Sequence, residues 1–182
     1  MKKHGPWKIK NSKVVYKNPW ISVREDSVIR PDGKPGIFGV VTMLPGSSVI
    51  PIDKNGNVYL TKEYHYGVRR VTIEAISGGV EKRKNKLSTA KRELKEEAGL
   101  VAKKWTYLGV VDPFTTVVQS PNYMYLAQGL SQGKTEPEGT ESIRIIKVPF
   151  KKALQWVKES KITHSATCVA MLKSERYLRG RK

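Results

Sequence analysis

Apolar and β-branched residues fall in short runs along this chain, and turn residues separate the runs. Positions 37–43, 47–52 and 58–61 read as strands. Asp53-Lys54-Asn55-Gly56 lies between the last two, and its Asn-Gly pair predicts a hairpin. Arg30-Pro31-Asp32-Gly33 predicts another turn. Further strands are expected at 71–76, 105–111, 123–127 and 142–148. In three places the apolar period lengthens to that of a helix. Over 86–98, Leu87, Ala90, Leu94 and Ala98 share one stripe, and Gly99 is a suitable stop. After Pro149, Ala153, Leu154, Trp156 and Val157 follow helical spacing, and Ala166, Val169, Ala170 and Tyr177 do so over 165–178. Strands dominate, with one helix among them and two at the end. This is a mixed α/β layout without a repeating strand–helix–strand unit.

The 182 residues suit one domain with an N-terminal extension. We divide the chain into an arm with strands over 1–45 and a main domain over 46–182. Residues 1–20 carry six lysines and no acid, with Trp7 and Trp20 as apolar anchors, so this arm can pack on the body or on a second subunit. The only cysteine, Cys168, excludes an intrachain disulfide and suits a reducing, cytoplasmic setting. Its apolar neighbours make it a small buried residue. No apolar run is long enough to cross a bilayer, and no membrane partner is expected.

Charge changes the picture. Lys and Arg number 34 against 16 Asp and Glu, a net charge of +18. Such a field attracts phosphorylated metabolites or RNA, although a solvated lysine-rich surface would look the same. Against that background Arg92-Glu93-Leu94-Lys95-Glu96-Glu97-Ala98-Gly99-Leu100 stands out. On a helix, Glu93, Glu96 and Glu97 fall within roughly a 100° arc at the edge of the apolar stripe. Like charges at these spacings repel, and the helix C-terminus disfavours them further. A hard divalent cation relieves both penalties. Pairing with Lys91 and Lys95 on a solvated face is the alternative.

The surroundings favour the cation. Two glycines in Ile76-Ser77-Gly78-Gly79 end the strand before the helix, and the whole segment reads Gly78-x5-Lys84-x7-Arg92-Glu93-Leu94-x-Glu96-Glu97-x-Gly99-Leu100. This resembles the signature box of the Nudix hydrolases, with Lys84 where the pattern has its first glutamate. Glu74-Ala75-Ile76-Ser77-Gly78 is similar to the Glu-x-Pro-Ala-Gly segment of the ADP-ribose and nucleoside-diphosphate-sugar pyrophosphatases.

The resemblance implies a Nudix α/β/α sandwich with a mixed sheet and an N-terminal β extension. It implies a Mg²⁺-dependent hydrolase, with Mn²⁺ as a substitute, that cleaves the diphosphate of ADP-ribose or a related nucleotide. Glu93, Glu97 and the Ser77 carbonyl become the expected metal ligands. Glu96 becomes a catalytic carboxylate and Arg92 the group that orients the glutamates. Glu141, followed by Glu138, is the expected general base, while Glu74, Arg69 and Arg70 are expected to contact substrate. A homodimer joined through residues 1–45 is also implied. Lys84, His65 and Thr115 depart from the group's pattern. They leave a second reading open, a catalytically weak module that binds a nucleotide or RNA.

Overall fold

The structure, a computed structural model, describes residues 1–133 and 143–180. It opens with β1 (Lys2–His4), β2 (Trp7–Lys17), β3 (Ile21–Ile29) and β4 (Pro35–Met43). Next come β5 (Gly46–Ile52), β6 (Asn57–His65), β7 (Arg70–Glu74) and β8 (Ile76–Gly79), then α1 (Lys86–Ala98). The chain continues through β9 (Leu100–Val111), β10 (Val118–Gln119), β11 (Asn122–Gln132) and β12 (Arg144–Pro149). It ends with α2 (Phe150–Lys158) and α3 (Ser165–Arg179).

Two compact units emerge. The first holds Met1–Leu44 with Asp112–Ser120. Its sheet runs β1-β2-β3-β4-β10, antiparallel except where β10 joins β4 in parallel. Gly5 adopts φ 58° in the tight β1–β2 turn, a conformation that costs glycine little. The Asn18 side chain accepts from the backbone N–H groups of Trp20 and Ile21, fixing the next turn. The Arg30–Gly33 turn forms as expected, with the Gly33 N–H donating to the Arg30 carbonyl at 3.0 Å. The sequence pattern marks no strand before residue 37, yet β2 and β3 are long. Register shifts at Ile9/Asn11 and Val14/Tyr16 break the alternation in β2, so its period-two signal is lost.

The second unit holds Pro45–Val111 and Pro121–Lys182. Its sheet runs β12-β6-β5-β11-β9, with β7 on β6 and β8 on β5. β5 and β11 are parallel and their other neighbours antiparallel, so the sheet is mixed. Alternate residues serve opposite faces. Val49, Tyr125 and Ala127 pack with Ala90 and Leu94 of α1. Ile50, Ile52, Met124 and Leu126 pack with Ala153 of α2 and Met171 of α3. Helices thus cover both faces, giving the expected α/β/α sandwich. Ile50, Leu60, Leu126 and Met171 are fully buried, and each such burial is worth about 1.5–3 kcal/mol.

The predicted β5–β6 hairpin is capped by Asp53. Its carboxylate accepts from the Asn55 and Asn57 backbone N–H groups, both at 2.9 Å, and pairs with Lys147 at 2.8 Å. Burial works against its charge, but Lys147 and these N–H donors prevail and hold the carboxyl at about 2.

Candidate active site

Helix α1 starts where Asn85 accepts from the Leu87 N–H at 2.8 Å, and it stops at Gly99 with φ 61°. These ends fix the rotation of its acidic edge. Glu93 is only 8% exposed, and it lies against β8. A Cβ on Gly78 would land on the Glu93 carboxylate, so glycine there makes room for the acid. Arg92 forks between two of the glutamates. One guanidinium nitrogen donates to Glu93 and another to Glu96, each at 2.5 Å. Burial works against the arginine's charge, yet Glu93 and Glu96 outweigh it and raise its pKa above the ordinary value.

Glu97 turns toward a polar cavity of about 270 Å³ lined by Thr61, Glu63, His65, Glu74, Ser77, Glu97 and Ile143. Thr61, Glu63 and His65 are alternate residues of β6 and so share one face. Of the expected residues, Glu74, Ser77 and Glu97 meet in this cavity, and Glu93, Glu96 and Arg92 form the adjoining ion-paired group. Arg69 and Arg70 do not line it. Arg69 is exposed at φ 54°, and Arg70 donates to the Thr163 hydroxyl at 3.0 Å. Glu141 and Glu138 lie outside the described residues.

Glu74 has partners that sequence reasoning missed. Its carboxylate lies 3.2 Å from His65 Nε2 and 3.2 Å from His164 Nδ1, and it accepts from the Thr72 hydroxyl at 2.7 Å. Two imidazoles, rather than the nearby Arg69 or Arg70, are thus its basic neighbours. Burial pushes the His164 pKa down, Glu74 pulls it back, and His65 lowers it again. His164 precedes α3 and reaches Glu74 across ninety residues of sequence. No local pattern announces it. Glu63 and His65 were detectable from their two-residue spacing with Thr61.

The groups gathered here offer oxygens: the Glu93 and Glu97 carboxylates of α1, with Ser77 of β8 lining the cavity. Such a set suits a hard divalent cation, and the clearance at Gly78 gives the Glu93 carboxylate a cradle that any larger residue would fill. Among the described residues no three His, Cys, Asp or Glu side chains form a ready-made metal cage. Arg92 holds one of these two carboxylates, Glu93, together with Glu96.

Comparison with known proteins decides the family. The NUDIX domain family matches residues 43–167, more than half of the chain. The chain belongs to the Nudix family. The nucleoside diphosphate sugar hydrolase N-terminal domain matches residues 7–41. ADP-ribose pyrophosphatase of Bacillus subtilis (strain 168) is 24% identical over 159 residues, covering 86% of each chain. The methanol dehydrogenase activator of Bacillus methanolicus is also 24% identical, with the same coverage. A hydrolase of CMP-5′-(N-acetyl-N-hydroxy-3-aminopropyl)phosphonate from Streptomyces rubellomurinus is 25% identical over 91% of this chain and 81% of its own. A crystal structure of an ADP compounds hydrolase superposes with a TM-score of 0.84 at 19% identity, covering 100% of this chain and 98% of that one. That likeness carries the fold. This Nudix protein is a nucleoside diphosphate hydrolase, and Nudix hydrolases generally use divalent metal ions. No helix among its described residues is long and apolar enough to cross a membrane.

Proposed function

We propose that this Nudix hydrolase cleaves the diphosphate linkage of ADP-ribose or a nucleoside diphosphate sugar, with Mg²⁺ as its cation and Mn²⁺ as a substitute. The observation that carries the reading is the Arg92 fork on Glu93 and Glu96 beside the Gly78 clearance, with Glu97 and Ser77 facing the adjoining cavity. Glu93, Glu97 and the Ser77 carbonyl are the proposed ligands. A bound divalent cation neutralises diphosphate charge and lowers the pKa of a water. Arg92 keeps two carboxylates oriented while substrate enters, and Glu96 serves as a further carboxylate at the reacting centre. Glu74, steadied by His65 and His164, contacts the substrate's sugar hydroxyls, and Arg69 and Arg70 attract its phosphates from outside the cavity. Glu141, with Glu138 behind it, is the proposed base.

The Bacillus subtilis relative is an ADP-ribose pyrophosphatase and the Streptomyces rubellomurinus relative hydrolyses a CMP conjugate, which supports the substrate class. A panel of ADP-ribose, nucleoside diphosphate sugars and dinucleoside polyphosphates, assayed with Mg²⁺ for nucleoside monophosphate release, tests the reading. Turnover of the first two classes, abolished in Glu97→Gln, is expected. No turnover of any member would overturn it. We further propose a cytoplasmic homodimer built through residues 1–45, where Trp20 and Ile37 are 73% and 72% exposed. Light scattering should return about twice the 20.5 kDa chain mass, and a monomer would end that proposal.

A further inference from the structure

Helix α1 divides two chemically different flanks. Glu93 and Glu97 fall on one side of the buried stripe of Ala90 and Leu94, toward Gly78 and the polar cavity. Leu87 lies on the other side, and Lys91 repeats its position one turn later. There the helix adjoins an aromatic surface on β9 and β11. Tyr107 pairs across the ladder with Tyr125, and Trp105 with Ala127. The Tyr107 and Tyr125 rings are 5.4 Å apart, and Trp105 stands edge-on to Tyr125 at 6.4 Å. Lys86 Nζ sits 3.7 Å over the Tyr123 ring. Lys84, Asn85, Lys86, Leu87, Tyr107 and Tyr125 border an open depression of about 530 Å³, and Tyr107 is 55% exposed.

The segment beside this flank is strongly basic after Glu81. Residues 82–91 contain Lys82, Arg83, Lys84, Lys86 and Lys91 and no acid. Between Glu97 and Glu136 the sequence has a single acid, Asp112. Lys84 stands where the family pattern carries a glutamate, so this chain has reversed the charge at the rim of the depression. β9 is the end strand of its sheet.

We propose that this flank binds single-stranded RNA, with a base stacked on Tyr107 and phosphates held by Lys84, Lys86 and Lys91. A ring face flanked by ammonium groups suits an unpaired base and its backbone, because stacking and phosphate pairing act together there. A paired duplex hides its base faces from such a ring. A membrane surface would call for protruding aliphatic side chains, and here the rings line a depression instead. The depression shares no lining residue with the polar cavity beside Glu97, so the proposal stands independently of the substrate reading.

Fluorescence anisotropy with labelled single-stranded oligo(U), set against a duplex of equal length, tests the proposal. Single strands should bind with strong salt dependence. Tyr107→Ala should weaken binding about tenfold or more, while Tyr107→Phe should preserve it. Lys84→Ala with Lys86→Ala should reduce the salt slope by about 1.4, the loss of two phosphate contacts. These two lysines are exposed, so that variant carries the test even where Tyr107→Ala disturbs the sheet. Diphosphate hydrolysis by Tyr107→Ala should match the parent. Equal affinity for duplex and single strand, unchanged binding by both variants, or preference for anionic vesicles or an acidic peptide over oligo(U) would each overturn the proposal.

Discussion

Arg92 reaches Glu93 with one guanidinium nitrogen and Glu96 with another, at 2.5 Å in both cases. Two carboxylates on neighbouring turns are thereby held by one planar, permanently charged group. Lysine supplies the charge without the fork. Arg92→Lys should therefore lower kcat about tenfold and Arg92→Ala about a hundredfold, with KM changed far less. Steady-state release of nucleoside monophosphate measures both. Equal activity in all three proteins would show that the fork is only a helix-surface ion pair.

Gly78 faces Glu93 at a distance no side chain can share, since even the Glu93 Cγ would lie 2.8 Å from an added Cβ. β8 is tied to β5 through the Gly78–Ser47 pairing, so the strand has little freedom to retreat. Gly78→Ala should destabilise the fold by about 1–3 kcal/mol and displace the carboxylate. Thermal unfolding reads the first effect. Weaker binding of Mn²⁺, followed by its relaxation signal, reads the second.

Thr167 is fully buried, and its hydroxyl accepts from the Ala75 N–H at 2.8 Å. That bond docks α3 onto the segment between Glu74 and β8. The same hydroxyl lies 2.9 Å from His164 Nδ1, and His164 in turn touches Glu74. Thr167→Val keeps the shape and orphans the Ala75 N–H, which should cost about 1–3 kcal/mol. Denaturant unfolding should show this loss. KM should rise as well, because Glu74 loses its support.

Much of the site was legible because its signal is local. The acidic edge of α1, its stop at Gly99, and Gly78 before it all lie within one continuous segment, where spacing translates directly into geometry. The hairpin at Asp53–Gly56 is legible for the same reason. His164 is a different case, since only the packing of α3 across the sheet brings it to Glu74. β2 escaped detection because its bulges scramble the alternation that marks a strand. Asp112–Ser120 carries little apolar pattern of its own, and it joins the first unit through the β10 pairing with β4 and the Ser120 hydroxyl on the Leu44 carbonyl. Contacts between distant segments leave little trace in any one of them.

Acid stability should report on Asp53. Its folded carboxyl titrates at about 2, below the ordinary 3.8, because Lys147 and the turn N–H groups outweigh the cost of burial. A depressed carboxylate stabilises the fold fully above its unfolded pKa and loses that contribution as pH falls through the folded value. The window therefore lies between about pH 4 and pH 2. Asp53→Asn retains a hydrogen-bonding oxygen and removes the charge, so it should cost about 1 kcal/mol at neutral pH. Thermal unfolding of the parent and the variant, compared across this range, should show the gap narrowing toward pH 2. A gap that stayed constant down to that pH would mean the Lys147 pair adds nothing beyond the turn's hydrogen bonds.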